Sequence, residues 1–251
     1  MGFGASRLGF WFKQINRAYK KRILCFYDPQ TFGPGGNTNY YFTTPDRKPN
    51  TDLYPVIQAR GNALGFSVDL VTSFSALQNV DLTVYSQLWD LGYATPYTTN
   101  PFNPTNKLRT YVQSGGALFI LGENSAFQPR DNQIGIFVEA CGGGVDITEG
   151  TVDFNYQRTL TLDSRFRLAN NSSQVTFARP GVFVNIGNGV PMTNSFPLTV
   201  ELHYPAVMWP VGSLSVCPIG SVMSVLDLNF IFGVYQNNDF IDNIIVSLNS
   251  L

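Results

Sequence analysis

The sequence predicts an α/β domain, a mostly parallel sheet with helices on both faces, carrying an antiparallel β-rich extension in its second half. Three observations lead there. Between residues 23 and 140, short apolar runs alternate with amphipathic segments of helical length, the order that a parallel sheet with right-handed crossovers requires. Within that alternation, KLRTYVQSGGALFILGENSAFQPR (residues 107–130) joins a helical pattern, a Gly-Gly break, a buried strand and a polar turn into a second helix. From about residue 145 to 218 the pattern changes to short β-type runs separated by Asn, Ser, Gly and Pro, which reads as antiparallel strands packed on the α/β core.

The first 22 residues, MGFGASRLGFWFKQINRAYKKR, stand apart. They hold six basic side chains (Arg7, Lys13, Arg17, Lys20, Lys21 and Arg22), no acidic one, and an interleaved set of large apolar residues that includes Phe3, Leu8, Phe10, Trp11, Phe12, Ile15 and Tyr19. So much apolar surface is costly to leave in water, so the favoured reading is an arm that orders on a partner. Arg7, Phe10, Trp11, Phe12, Lys13, Arg17 and Tyr19 are its expected anchors. A loose tail and a basic helix lying on a membrane surface are the competing readings.

Residues 23–27 form the first apolar run and end at Asp28-Pro29, a central strand with a carboxylate at its carboxyl end. The loop at 30–50, rich in Gly, Asn, Thr, Tyr and Pro, is expected over that edge of the sheet. Residues 52–64 show helical spacing through Leu53, Val56, Ile57 and Leu64, behind a Thr51 or Asp52 cap. Strands are predicted at 67–71 and at 81–89, the latter closing on Trp89-Asp90, followed by a second Pro- and Asn-rich loop at 95–106. Leu108, Tyr111 and Val112 then mark a helix that Gly115-Gly116 can end in left-handed geometry, and 117–121 is a continuous apolar strand. A short helix at 131–140 runs into Gly142-Gly143-Gly144. The β-type runs that follow are 159–162, 175–177, 182–186 and 198–202. Residues 221–226 return to a buried strand ending at Asp227-Leu228-Asn229. A closing helix at 239–248 places Phe240, Ile241, Ile244, Ile245 and Leu248 on one face. With no repeat and no internal linker, residues 23–251 read as one domain with a β-rich insertion at about 145–218.

A formal charge of −1, with 13% charged and 14% aromatic residues, gives no electrostatic footprint for nucleic acid or for a broad anionic membrane contact. Weight falls instead on Asn, Thr, Ser, Gly, Tyr and Phe, a composition suited to assembly or glycan contact. Cys25, Cys141 and Cys217 lie in or beside apolar segments without CxxC spacing, and read as buried thiols rather than ligands or bridges. No stretch has the roughly 18 apolar residues of a membrane span, and the N-terminus lacks a secretory apolar region. Synthesis in a cytoplasm is expected.

If the strands are placed correctly, Asp28, Asp90, Glu123, Asn124, Asp227 and Asn229 lie at their carboxyl ends, where open α/β sheets gather ligands. Together with Arg130 they are the binding candidates. Such carboxylates can coordinate a divalent cation or supply a general base; the favoured alternative is that they cap helices and pair with Arg130 or loop amides. No spacing matches a metal motif, so no metal or cofactor is predicted. Gly122-Glu123-Asn124-Ser125-Ala126 has the small-x-polar-x-small form of a nucleophile elbow, whose central residue is expected to stand exposed above the sheet. That residue is Asn124, which cannot act as a nucleophile, so no catalytic residue is assigned. His203 with Ser125 is the only pairing for a serine hydrolase. Gly33-Pro34-Gly35-Gly36 lacks the Lys and helix of a phosphate loop, and the N-x-[ST] pattern at Asn171 reads as a turn. Phe32, Tyr40, Tyr41, Phe42, Tyr93, Tyr97 and Phe102 in the two long loops are candidates for stacking on sugars or anchoring an interface, with buried packing within the loops an equal alternative.

ILCFYD, VYSQLWDLGY, GGALFILGENSAF, SVMSVLDLNF and NNDFIDNIIVSL together resemble class I glutamine amidotransferase-like domains, in particular their non-catalytic, ThuA-like branch, over residues 23–251. The resemblance implies a flavodoxin-like fold. Catalytic members carry a Cys at the elbow and a later His-Glu pair; here Asn124 occupies the elbow, and His203, in ELHYP, has no matching dyad, which argues against amidotransferase activity. ASRLGFW is similar to the opening of small structural proteins of tailed bacteriophages. The expectation is a non-catalytic structural or binding module, tethered through residues 1–22 to other proteins of a virion as a capsid decoration, neck or fibre-associated subunit. A surface glycan is a further candidate partner, through the loop aromatics. The alternative is a hydrolase-type enzyme or carbohydrate-binding domain using the carboxyl edge of the sheet.

Overall fold

The computed structural model describes residues 20–28, 52–94, 96–97, 100–124, 127–145, 151–153, 157–195 and 202–250. The seven predicted anchors of the arm lie outside these residues, as do Phe32, Tyr40, Tyr41, Phe42 and Ser125.

Four strands follow one another in the first half: β1 (Arg22–Phe26), β2 (Ser67–Val71), β3 (Gln87–Asp90) and β4 (Ala117–Leu121). Seven more come later: β5 (Thr151–Asp153), β6 (Arg158–Thr161), β7 (Gln174–Phe177), β8 (Gly181–Phe183), β9 (Val190–Pro191), β10 (Ala206–Trp209) and β11 (Ser221–Val225). The main sheet has the order β2-β1-β3-β4-β11-β10-β9. Its first five strands are parallel and its last two antiparallel. Counting β11 as the fifth parallel strand gives the 2-1-3-4-5 order of doubly wound sheets, with the switch point between β1 and β3.

Side chains alternate across this sheet and build two cores. Ile23, Cys25, Trp89, Phe119 and Met223 face α1 (Tyr54–Ala63) and the closing helix. Leu24, Phe26, Leu88, Leu118, Ile120 and Val222 face the other way, toward α2 (Phe74–Gln78), α3 (Thr105–Gln113) and α4 (Gln128–Ala140). The closing helix, α5 (Asn238–Ser250), buries Phe240, Ile241, Ile244, Ile245 and Leu248, the five apolar residues its spacing predicts. Strands buried on both faces read as continuous apolar runs, and ILCF of β1 and ALFIL of β4 do so because the helices cover them on either side.

Gly115 and Gly116 end α3 for separate reasons. Gly115 is left-handed at φ 97°, and a Cβ on Gly116 would lie 2.2 Å from the ring of Tyr111. The first needs glycine for its backbone, the second for space.

Three elements differ from the sequence reading. Of the predicted 81–89 strand only 87–89 is extended, continuing to Asp90 as β3, because Asp81 accepts from Thr83 N at 2.9 Å and from its hydroxyl at 2.7 Å, winding 82–84 into a 3₁₀ turn. The short α2 was not foreseen; it starts at Ser73, whose Oγ accepts from Ala76 N at 3.1 Å. In the β-rich half, β5 pairs with β8 and β6 with β7 as separate two-stranded sheets. However, β9 and β10 extend the main sheet instead of standing apart from it.

Candidate functional site

The parallel register aligns Asp90 with Ile120, and Ile120 with Ser224, so β1, β3, β4 and β11 run out together at one edge. Asp28 follows β1, Asp90 closes β3, Glu123 and Asn124 follow β4, and Asp227 and Asn229 follow β11. All the predicted strand-end residues therefore share this edge. Asp28, Asp90, Glu123, Asn124 and Asp227 are buried there, while Asn229 is half-buried.

Two polar clusters account for them. The first centres on Asp90 and Arg130, both fully buried. Arg130 Nη2 donates to Asp90 Oδ2, to Gly92 O at 2.7 Å and to Leu121 O at 3.1 Å, and its Nε reaches Leu121 O at 3.3 Å. Tyr97 completes the group: its hydroxyl donates to Asp90 Oδ2, and its ring lies under the guanidinium at 4.7 Å. Asp90 Oδ1 accepts from Gly92 N at 3.0 Å. Burial opposes the charge on Arg130, but the field of Asp90 and its hydrogen bonds hold the guanidinium firmly protonated; burial, reinforced by Asp90, raises the Tyr97 phenol. Nearby, Asp28 Oδ2 accepts from Phe74 N at 2.8 Å and so serves the first turn of α2.

The second cluster is acidic. Glu123 is 2% exposed, Asp131 1% and Asp227 0%. Glu123 Oε1 accepts from Asn124 Nδ2 at 3.1 Å and from Asn124 N at 3.3 Å, while Oε2 accepts from Leu228 N at 3.1 Å. Asp131 Oδ1, in the first turn of α4, accepts from Glu123 N at 3.1 Å. Asp227 Oδ1 accepts from Asn229 N at 2.8 Å and Nδ2 at 2.7 Å, and its Oδ2 from Ala178 N at 2.6 Å. Burial, the charge of Asp227 and that of Asp131 push the Glu123 carboxyl well above the usual carboxylate range, and burial also raises Asp227.

Glycines let these groups close up. A Cβ on Gly122 would sit 2.4 Å from Leu226 Cδ2 and 2.6 Å from Asp131 Oδ1, and one on Gly181 2.4 Å from Glu123 O. The small residue before the elbow is thus required by close approach. Its central residue is not exposed as expected: Asn124 is only 8% exposed, turned down onto Glu123.

The other candidates divide. Of the two readings of Tyr97, a stacking aromatic or one packed within the loop, the second holds: it is 1% exposed, its hydroxyl drawn to Asp90 and its ring to Arg130 and Phe74. Tyr93 is half-buried, edge-on to Phe127 with ring centroids 5.6 Å apart, and Phe102 is 51% exposed. His203 is buried. Among the described residues no three His, Cys, Asp or Glu side chains stand together as a metal site. None of the described helices is long and apolar enough to cross a membrane. Asp131 and Gly181 were not anticipated. An acidic residue in the first turn after a strand-end acid was the available signal for Asp131; Gly181 left none.

No family model matches the chain, and no curated protein matches it in sequence. Solved structures do match in shape. The N-terminal domain of mmIFT52 superposes with a TM-score of 0.59 at 11% identity, covering 90% of this chain and 98% of that one. A ThuA-like protein from Bacteroides uniformis gives 0.49 at 11% identity, covering 91% of each chain. A GMP synthase component from Thermoplasma acidophilum gives 0.44 at 9%, covering 90% of this chain and 94% of that one. At 11% identity the likeness to the mmIFT52 domain concerns the fold alone.

Proposed function

We propose that this chain is a non-catalytic binding module, held in a larger assembly by its basic, aromatic arm at residues 1–22. One observation carries the reading. The edge where an open α/β sheet would receive a ligand is occupied by the chain's own groups: Asp28, Asp90, Glu123 and Asp227 each accept from backbone or side-chain donors of the protein itself. Asn124, in the nucleophile's place, is turned onto Glu123.

Chemistry on a substrate needs a nucleophile or base within reach of it, and carboxylates spent on internal donors serve architecture. Binding then falls to what lies away from the edge. The arm has the composition of an anchoring segment, cationic side chains for orientation and Phe10, Trp11 and Phe12 for burial. In its most specific form the proposal places the chain in a tailed-phage virion, as a capsid decoration, neck or fibre-associated subunit.

The test compares the full chain with one lacking residues 1–21. Loss of co-purification with the assembly, with an unchanged thermal melt, is the expected result. Turnover of any ester, amide or glycoside substrate that disappears in both Glu123→Gln and Asp227→Asn would replace the module by an enzyme.

A further inference from the structure

Two of the three cysteines meet in space. Cys141 follows α4, and Cys217 lies in the loop leading into β11. Their backbones are joined directly: Cys217 N donates to Cys141 O at 3.2 Å, Val216 N to the same oxygen at 3.0 Å, and Ser215 N to Gly142 O at 3.0 Å. The contact is so close that a Cβ on Gly142, left-handed at φ 85°, would fall 2.2 Å from Ser215 Oγ. A backbone hydrogen bond joins the two residues themselves, the kind of close main-chain approach that a disulfide, with Cα atoms under about 7 Å apart, requires. Each thiol also perturbs the other's ionisation through a side-chain hydrogen bond.

Both thiols are free and buried, and both belong to the core shared with α2, α3 and α4. Cys25 belongs to the opposite core, beyond the sheet. The chain therefore holds one dithiol and one isolated thiol. Both are 0% exposed, but Cys217 lies in a surface loop between the exposed Val216 and Pro218, so a small opening of that loop bares it.

We propose that Cys141 and Cys217 are a dithiol that a low-molecular-weight disulfide converts into an intrachain disulfide, tying the end of α4 to the loop entering β11. Burial raises both thiols and the field of Arg109 on α3 opposes that for each, while the hydrogen bond between them lowers Cys217 and raises Cys141, so Cys217 is the first to attack. It displaces one glutathione thiolate from glutathione disulfide and forms a mixed disulfide. The Cys141 thiolate then attacks the Cys217 sulfur and releases the second glutathione. Two protein thiols are oxidised, one glutathione disulfide is reduced to two thiols, and the two protein protons pass to the leaving thiolates. The bond closes the whole β-rich half, residues 142–216, into a covalent loop. Such a device suits a chain made where thiols stay reduced and stationed where they do not.

The full chain, purified reduced, is incubated in native buffer with glutathione disulfide, blocked with N-ethylmaleimide, digested and mapped. The expected product is a monomer with a Cys141–Cys217 linked peptide and Cys25 recovered as a thiol. A Tm gain of at least about 5 °C, as closure of a long loop implies, is abolished by dithiothreitol. Cys141→Ser and Cys217→Ala, measured separately, lose the gain. Recovery of both cysteines as blocked thiols, a link to Cys25 or between chains, or a linked monomer melting no higher would each overturn the proposal. The wild-type measurement decides even if a variant fails to fold.

Discussion

Glu123 illustrates how one buried side chain can be read through its titration. Its folded-state affinity for a proton is raised by burial and by the charges of Asp227 and Asp131. The unfolded carboxyl titrates near its ordinary value, so the stabilising contribution is complete below about pH 4 and falls as pH rises toward the folded value, by up to about 1.4 kcal/mol per pH unit. Glutamine at this position cannot ionise. The stability difference between Glu123→Gln and wild type, from urea melts at pH 4 to 8, should therefore move steadily in favour of the variant as pH rises. A difference that stays flat would show that Glu123 ionises normally.

The Asp90–Arg130 pair predicts the opposite kind of sensitivity. Both side chains are wholly buried, so removing one strands the other. Arg130→Met should cost about 3–5 kcal/mol, whereas joint replacement of Asp90 and Arg130 by apolar residues of similar volume should recover most of that loss. A double-mutant cycle without coupling would contradict the account. The strand-end positions of these residues were legible in the sequence because strand lengths set them. Their partners were not, since Asp90 pairs 40 residues away and Glu123 meets Leu228 N across 105. Tyr97 stayed ambiguous because a loop aromatic that stacks on a sugar and one that folds back onto an arginine have the same local sequence.

Among the elements, α5 is the one whose role follows most directly from its pattern. Phe240 is fully buried and meets Phe230 at 5.2 Å and Phe177 at 6.1 Å, both edge to face. It thus joins the closing helix, the turn after β11 and the β6–β7 hairpin. Phe240→Ala should destabilise by about 3–5 kcal/mol in equilibrium unfolding. A cost under ~1 kcal/mol would mean that this junction is not a core. Helices with a one-sided apolar stripe, and strands covered on both faces, were readable from period alone. By contrast, β10 was missed as a member of the main sheet: AVMW is four residues long, buried throughout, and lies between prolines, so no alternation marks it. The 3₁₀ turn at 82–84 was hidden for the converse reason, a side-chain cap prevailing over a β-like composition.

Across the whole molecule, a doubly wound parallel sheet has been lengthened by two antiparallel strands, and its usual ligand edge is closed by its own acids, amides and arginine. Fold and function separate here. The fold followed from alternation and from the unit at residues 107–130; the function proposed for the molecule rests on an arm whose partner no local pattern specifies. The most direct measurement is the copy number of this chain in particles purified from its natural source, by quantitative mass spectrometry, with the full chain and the chain lacking residues 1–21 offered in competition. A fixed ratio of many copies to an abundant shell or tail protein, with the truncated chain excluded, is the predicted result. Absence from particles, or equal uptake of the truncated chain, would contradict the account.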